Sequence, residues 1–301
     1  GVAQNSYHTL ESIRVVLHDG SVLDTGDESS IIEFKKTHVA LLENLKILAL
    51  KTRGNDELHQ LISHKYRLKN TTGYAINSLI DFTDPIDILA HLMIGSEGTL
   101  GFISSVTYNT VIEHKHRASS LVFFPDIQTT CHAVSALANA NVSAVELMDR
   151  RALASVCDMD GLPDFIKTLD NNVAALLIET RAANAQLLSE QVIALESLLA
   201  NFEQTNAIKF TGVASEYSQL WAIRKGTFPA VGAVRENGTT VIIEDVAFPV
   251  DRLANAVGDL QALFDKYHYD EAIIFGHALE GNLHFVFTQD FAIQSEVDRY
   301  Q

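Results

Sequence analysis

Residues 276–284 read Gly-His-Ala-Leu-Glu-Gly-Asn-Leu-His, with a histidine near each end of a Glu-Gly-Asn turn. Apolar runs flank this segment on both sides, which predicts two strands joined by a short turn. Two imidazoles seven residues apart would lie about two turns apart along a helix, but across a tight turn between strands they can converge on one point. His277 and His284 are therefore candidate metal ligands, because metals prefer neutral imidazole nitrogens that are held rigidly.

The alternative interpretation is that one of these histidines lies in the core and the other decorates a turn. Two histidines within nine residues, flanked by glycines that allow close backbone approach, favour the metal site. Zinc is the favoured ion, and manganese and iron(II) also accept such ligands. Two histidines do not complete a site, so we expect a third ligand, a carboxylate, from elsewhere.

A second candidate site is the segment Gly95–Gly101, which reads Gly-Ser-Glu-Gly-Thr-Leu-Gly. Glycines let successive backbone N–H groups point into one concavity, an arrangement that binds anionic groups. The candidate cofactor-binding residues are Gly95, Ser96, Gly98, Thr99, Leu100 and Gly101. The spacing matches neither the Rossmann fingerprint nor a Walker loop, so the residues alone predict an anion site of unspecified type. The alternative is an ordinary helix-to-strand connection, which would need one glycine and not three.

The chain has 301 residues, a length for which two domains are the default expectation. Its net charge of -16 would repel a phosphate backbone, so we do not expect nucleic acid as a partner. Its apolar runs are shorter than the roughly 18 to 20 residues that span a bilayer. The two cysteines, Cys131 and Cys157, cannot hold an iron–sulfur cluster and fit a reducing compartment. We expect a cytoplasmic protein, with peripheral membrane contact and homo-oligomers left open.

The first part of the chain combines a hairpin signal with helical periodicity. The expected elements are a hairpin over residues 12–24, helices over 40–67 and 86–91, a loop over 70–74 and a strand over 101–109. The long helical pattern is divided near Gly54. Residues 113–117 are polar and lack apolar periodicity, so we place the domain boundary there and expect domains over 1–115 and 116–301.

The second part alternates between strand and helix patterns. The expected strands cover residues 121–124, 144–148, 174–180, 239–248, 272–276 and 283–288, and the expected helices cover 126–140, 184–202, 213–234 and 250–268. The strands lack the long apolar runs of parallel sheets, which favours an α+β domain in which helices cover an antiparallel sheet. The order of elements along the chain leaves a parallel arrangement open.

Arg224 lies on a mostly apolar helical segment, where a guanidinium needs a carboxylate from the protein or from a ligand. The residues alone favour a structural ion pair. The segment 158–161 reads Asp-Met-Asp-Gly and suggests a calcium loop, but the ligands required at its fifth and twelfth positions are missing, so we reject that interpretation.

Three motifs together resemble the FAD-linked oxidases of the vanillyl-alcohol oxidase (PCMH-type) fold. They are the glycine segment at 95–101, Leu-Trp-x-Ile-Arg at 220–224 and Gly-His-x-x-x-Gly-Asn-Leu-His at 276–284. Their order and separation match as well. The most similar branch is that of the D-lactate, glycolate and D-2-hydroxyglutarate dehydrogenases, and residues 65–74 further resemble the large bacterial enzymes that fuse this flavin unit to an iron–sulfur domain.

This resemblance implies the C-terminal part of a PCMH-type FAD-binding domain in residues 1–115 and a substrate or cap domain in 116–301. It implies oxidation of a D-2-hydroxy acid, D-2-hydroxyglutarate or D-lactate, by hydride transfer to FAD with a divalent metal at the substrate. The candidate catalytic residues are Arg224, His277 and His284. His277 and His284 would bind the metal, Arg224 would pair with a substrate carboxylate, and the glycine segment would lie along the flavin and its pyrophosphate.

The resemblance also places several parts of the site outside this chain. A first phosphate loop would precede Gly1, and a Glu-His pair supplying the third ligand and a proton acceptor would follow Gln301. An iron–sulfur cluster is expected only in a domain outside this chain. We therefore interpret the chain as an internal fragment that is inactive alone.

The sequence also departs from its relatives at the substrate site. Ile243 stands where hydroxyglutarate enzymes usually have lysine, and Val286 where they usually have asparagine, so the specific acid is left open, as is the electron acceptor. The alternative functions are a metal-dependent hydrolase that uses the same histidines and a non-catalytic binding or scaffold module.

Overall fold

A computed structural model of the chain describes residues 4–68, 73–157 and 164–301. The chain forms two compact units, residues 1–112 and 113–301. Most of the loop expected over residues 70–74, and the rejected calcium loop at 158–161, lie outside the described residues. None of the helices in the described part of the chain combines the length and apolar character needed to cross a bilayer.

The first unit contains an antiparallel three-stranded sheet in the order β2-β1-β3. Its strands are β1 (Leu10–Val16), β2 (Val22–Asp24) and β3 (Phe102–Tyr108). Its helices are α1 (Ser6–Thr9), α2 (Glu28–Thr37), α3 (Val39–Gly54), α4 (Asp56–Lys65), α5 (Ser78–Asp81) and α6 (Pro85–Met93). The core of this unit includes Ile13, Val15, Leu23, Phe34 and Met93.

The predicted hairpin and the predicted division of the long helical pattern are both confirmed. The strands β1 and β2 pair across a turn that contains Gly20 at φ 83°. The helix α3 ends at Gly54, and the side chain of Asn55 caps α4 by accepting a hydrogen bond from the backbone N–H of Leu58. The helix α2 was not expected. Asp27 begins it by accepting a hydrogen bond from the N–H of Ser29.

The second unit contains a six-stranded sheet in the order β4-β6-β5-β8-β9-β7. The strands are β4 (His116–Phe124), β5 (Ala144–Met148), β6 (Ala174–Ala182), β7 (Thr240–Ala247), β8 (Ile273–His277) and β9 (Asn282–Gln289). Each pair of neighbouring strands is antiparallel, which confirms the predicted antiparallel sheet and rules out the parallel arrangement that the chain order left open.

The helices of the second unit are α7 (Ile127–Leu137), α8 (Arg150–Ser155), α9 (Ala185–Leu199), α10 (Ala214–Val234), α11 (Leu253–Lys266) and α12 (Gln294–Tyr300). Short 3₁₀ segments cover Asp164–Thr168, Val250–Arg252 and Ala278–Glu280. The side chain of Asp126 caps α7 by accepting a hydrogen bond from the N–H of Thr129, as its sequence position predicts. The short helices α8 and α12 were not expected.

Helices pack on both faces of this sheet, so it has two separate apolar cores. On one face, Leu176 of β6 packs in a cluster with residues of α7, α9 and α11. On the other face, Leu177 packs with Phe275 of β8 and Ile223 of α10. Successive strand residues point to opposite faces, so adjacent leucines serve different cores. The second face also carries the ionisable side chains described next.

Candidate functional site

The hairpin formed by β8 and β9 brings the two candidate histidines together. Phe275 lies directly opposite His284 in the register, and His277 is two residues after Phe275 on the same strand. Residues two apart on a strand share a face, as do directly opposed residues, so both imidazoles are on the α10 face of the sheet. Their ring centroids are 5.4 Å apart, and the ring planes meet at 83°.

The turn between these strands depends on glycine at two positions. Gly281 has φ 61°, and a Cβ atom there would be 1.8 Å from the carbonyl oxygen of Phe248. A Cβ atom on Gly276 would be 2.5 Å from the carbonyl oxygen of Asn282. Real side chains do not fit at these distances, so the glycines flanking His277 allow the backbone to approach closely enough to form the hairpin.

Glu146 of β5 connects two of the candidate residues. It lies directly opposite His277 in the register between β5 and β8, and its Oε1 is 2.7 Å from Nδ1 of His277. Its Oε2 accepts a hydrogen bond of 2.8 Å from Nε of Arg224. The guanidinium of Arg224 is also 4.6 Å from the centre of the Phe275 ring. The protein therefore contains the structural ion pair that the sequence favours for Arg224.

Asp245 of β7 has the same relation to the second histidine. It lies directly opposite His284 in the register between β7 and β9, and Nδ1 of His284 is hydrogen-bonded to Oδ1 of Asp245. Burial lowers the pKa of His284 below the ordinary histidine value, and the hydrogen bond and charge of Asp245 oppose that shift. The lowered pKa favours the neutral imidazole, which is the form that binds metals.

The two carboxylate–histidine pairs, Glu146 with His277 and Asp245 with His284, leave the Nε2 atom of each ring for a ligand. A carboxylate only accepts hydrogen bonds, so each Nδ1 carries the hydrogen and each Nε2 carries the lone pair. Two imidazoles bound tetrahedrally to one metal through Nε2 have ring centroids about 5 Å apart. The observed 5.4 Å is close to that value, so the spacing of the two rings is compatible with a shared metal.

The third ligand is not provided by the part of the chain that the structure describes. Residues 4–68, 73–157 and 164–301 contain no group of three or more His, Cys, Asp or Glu side chains placed to hold a metal. Glu146 and Asp245 contact the Nδ1 atoms, on the opposite edge of each ring from Nε2. Their place is behind the histidines, where carboxylates orient metal ligands.

Glu146 and Asp245 were not predicted as site residues, although each lies within a correctly predicted strand. Glu146 interrupts the apolar run Ala144–Met148 and is 6% exposed as a residue. An ionisable side chain in a buried strand needs a hydrogen-bonding or charged partner, so its position in the strand could have indicated a role in the site. The identity of the partner depends on strand order, which the sequence pattern does not contain.

In the first unit, the glycine segment Gly95–Gly101 joins α6 to β3, so its backbone forms a helix-to-strand connection. Gly95 and Gly98 both have φ 78°. Ser96 is 3% exposed, and its hydroxyl has no hydrogen-bond partner among the described residues. The Thr99 hydroxyl donates to the carbonyl of Ser96 at 2.6 Å. A buried hydroxyl without a partner fits a segment that contacts a bound polar group, so these residues are compatible with a cofactor.

Two solved structures share the fold of this chain. A p-cresol methylhydroxylase structure superposes with a TM-score of 0.55 at 11% identity, covering 99% of this chain and 55% of that chain. An alkyldihydroxyacetonephosphate synthase structure gives a TM-score of 0.55 at 13% identity, covering 97% of this chain and 48% of that chain. At these identities the likeness shows the fold alone, and it confirms the PCMH-type architecture expected from the three motifs.

Residues 113–301 match the model of the C-terminal domain of FAD linked oxidases, and the chain belongs to this family. The resemblance identified from the motifs is therefore confirmed. One relative is a D-2-hydroxyglutarate dehydrogenase of Haemophilus influenzae, 24% identical over 323 residues that cover 99% of this chain and 30% of the relative. Another is the glycolate oxidase subunit GlcD of Bacillus subtilis, 26% identical over 223 residues that cover 71% of this chain and 44% of the relative. The chain spans less than half of the length of either relative.

Proposed function

We propose that the protein carrying this chain is an FAD-dependent oxidoreductase that oxidises a D-2-hydroxy acid such as D-2-hydroxyglutarate or D-lactate. Bound FAD would accept the hydride from C2, and a divalent metal would polarise the substrate hydroxyl. Membership of the FAD linked oxidase family supports the flavin. The single observation that carries the rest is the histidine pair with ring centroids 5.4 Å apart, each ring held by a carboxylate.

In this proposal His277 and His284 hold the metal through their Nε2 atoms. Their Nδ1–H groups donate hydrogen bonds to Glu146 and Asp245, which prevents the rings from turning and keeps the Nε2 lone pairs directed at the metal. The His284 side chain is 17% exposed, whereas that of His277 is 42% exposed. A ligand can therefore enter from the side of the histidine pair on which His277 lies.

Arg224 binds the carboxylate of the substrate in this proposal. A guanidinium has five N–H donors, and the one at Nε is used by Glu146. The terminal nitrogens can then form the paired hydrogen bonds that carboxylates prefer. The Arg224 side chain is only 12% exposed, and reduced contact with water strengthens its attraction for an anion.

The glycine segment binds FAD in this proposal, with the Ser96 hydroxyl as a hydrogen-bond donor to the cofactor. Gly101 keeps the segment close to β1, because a Cβ atom there would be 3.1 Å from the carbonyl oxygen of Val16. A larger residue would push the segment away from the strand. The roles of all six candidate cofactor-binding residues stay predictions.

The proposal is tested on the full-length protein, purified with its cofactors. D-lactate, D-2-hydroxyglutarate and glycolate are each supplied with a dye acceptor, while flavin absorbance and metal content are measured. We expect one of these acids to bleach the flavin. The His284→Ala variant should lose both metal and turnover, whereas His132→Ala, which removes an exposed imidazole from α7, should keep both.

Two outcomes would contradict the proposal. Unchanged turnover and metal content in His284→Ala would remove the metal from the mechanism. A protein that binds metal but contains no flavin would instead support the metal-dependent hydrolase.

A further inference from the structure

We propose that Glu146 is a positioning residue that fixes the tautomer of His277 and the orientation of Arg224 at the same time. One carboxylate would then prepare both a metal ligand and the substrate-binding guanidinium. The catalytic consequence rests on the proposed function. The tautomer, in contrast, is a property of this chain's own residues and is measurable without substrate or metal.

The contacts of Glu146 assign one oxygen to each partner. Oε1 is 2.7 Å from Nδ1 of His277, and Oε2 is 2.8 Å from Nε of Arg224. The Glu146 side chain is 8% exposed, so water competes little for these hydrogen bonds. An ionised carboxylate has no hydrogen to donate, and therefore the hydrogen must be on Nδ1 of His277.

The backbone around Glu146 is held on both sides. Its strand, β5, lies between β6 and β8, with Leu177 directly opposite Glu146 on one side and His277 directly opposite on the other. Side chains on such a strand are placed more accurately than side chains on loops. Glu146 can therefore act as a fixed reference for two groups that lie on different elements, β8 and α10.

The helix α10 has a second attachment to the same face of the sheet that does not involve Glu146. Trp221, three residues before Arg224, donates a hydrogen bond of 2.8 Å from Nε1 to Oε2 of Glu179. Glu179 is 2% exposed and also accepts hydrogen bonds from Ser119 and Arg181. Loss of Glu146 alone therefore leaves α10 attached, and Glu179 provides a matched control: a second buried carboxylate that holds the same helix without touching His277.

The variant Glu146→Gln separates the two roles, because its amide has one accepting and one donating end. Nε of Arg224 can only donate, so the amide oxygen should turn toward Arg224 and the amide nitrogen toward His277. Nδ1 of His277 then has to accept a hydrogen bond, and its hydrogen moves to Nε2. The atom needed for the metal would lose its lone pair while Arg224 keeps its orientation.

The test uses full-length protein with ¹⁵N-labelled histidine, stripped of metal, and reads the tautomer of His277 from nitrogen chemical shifts. The His277 signal is identified by its disappearance in His277→Gln. We expect the hydrogen on Nδ1 in the wild type and in Glu179→Gln, and on Nε2 in Glu146→Gln. A wild type with the hydrogen on Nε2, or a Glu146→Gln variant with the wild-type tautomer, overturns the proposal. If Glu146→Gln does not fold, the wild-type spectrum alone tests the proposal, because it shows which nitrogen of His277 carries the hydrogen.

Zinc titration and kinetics supply the second measurement. Loss of a residue that orients a metal ligand typically costs 10- to 100-fold in metal affinity, so Glu146→Gln should bind zinc about 10- to 100-fold more weakly than Glu179→Gln. At saturating zinc, KM for the acid should stay close to the wild-type value. An unchanged zinc affinity contradicts the inference. A wild type that binds none of zinc, manganese and iron(II) contradicts the metal of the proposed function, and the tautomer measurement still decides the role of Glu146.

Discussion

Asp245 and His284 lie directly opposite each other on β7 and β9, and their side chains are hydrogen-bonded through Nδ1. Glu146 and His277 have the same relation on β5 and β8. Each candidate metal ligand is therefore oriented by a carboxylate that the sheet register places on the adjacent strand. Backbone pairing sets the position of all four side chains.

Asp245→Asn should weaken metal binding by the full-length protein. The amide nitrogen of the new side chain can donate a hydrogen bond to Nδ1 of His284, which would allow the hydrogen of the imidazole to move to Nε2. An imidazole in that form cannot bind metal through Nε2. We therefore expect about 10- to 100-fold lower zinc affinity by calorimetric titration. Glu244→Gln is the matched control, because it removes the neighbouring exposed carboxylate on the other face of β7. Equal zinc affinities in the two variants would contradict the role of Asp245.

Gly281→Ala should destabilise the protein more than Gly238→Ala. Both glycines have positive φ, but a Cβ atom at 281 would overlap the carbonyl oxygen of Phe248, whereas a Cβ atom at 238 would have no neighbour within 4 Å. We expect an additional cost of about 1–3 kcal/mol from the overlap, measured as a lower thermal midpoint. Similar midpoints in the two variants would show that the turn relaxes without loss.

Ile243→Lys should increase the preference for dicarboxylic substrates. Ile243 lies directly opposite Val286 and shares a face of β7 with Asp245, so this apolar pair is next to His284. This apolar pair provides no positive charge for the second carboxylate of a dicarboxylic acid. We expect the ratio of kcat/KM for D-2-hydroxyglutarate to that for D-lactate to rise in Ile243→Lys and to stay unchanged in Thr240→Lys, which adds the same charge on the opposite face. An unchanged ratio in both variants would separate this pair from substrate selection.

The free energy of unfolding should decrease as pH rises from about 4 to about 7, because the carboxyl of Asp149 is buried. Burial raises the pKa of its carboxyl to about 7, although the N–H groups of Ala152 and Ile274 favour the charged form. The carboxyl of the unfolded chain has a pKa of about 3.9. Between these values the folded state holds a proton that the unfolded state has lost, so the free energy of unfolding decreases as pH increases and levels off above about 7.

Thermal midpoints measured across this pH range test the assignment. Asp149→Asn should have a lower midpoint because it disturbs the hydrogen bond at the start of α8, but the decrease with pH should largely disappear. Asp126→Asn, at the less buried start of α7, should keep the decrease. A wild-type midpoint that does not fall between about pH 4 and 7 would show that the two N–H donors outweigh burial.

The positions of most long elements could be predicted from the sequence, because their signals are local. Asp126 begins a helix through its own side chain, and the Asp19-Gly20 turn joins two strands only a few residues apart. The short helix α8 was missed because its six residues are too few to show apolar periodicity. Its start at Asp149 depends on a carboxylate that also binds the backbone of β8.

The proximity of candidate site residues could be predicted from the residue pattern only for those that are close in the chain. The pattern places His277 and His284 close together because a single turn joins their strands. Glu146 is 131 residues away from His277, and Asp245 is 39 residues away from His284. Their contacts depend on β5 and β7 pairing with opposite edges of the hairpin, an order that hydrophobic patterns within single strands do not specify.

The order of the strands also determines when the six-stranded sheet can be completed during synthesis of the chain. The strands β8 and β9 are the last two of the six to leave the ribosome, yet they occupy the middle of the sheet between β5 and β7. Until they emerge, one edge of β5 lacks its neighbour and β7 has no strand to pair with among those already made. A nascent chain that stops before residue 273 thus exposes unpaired strand edges, which are templates for aggregation. Slow synthesis of residues 273–289 should therefore lower the yield of correctly folded protein.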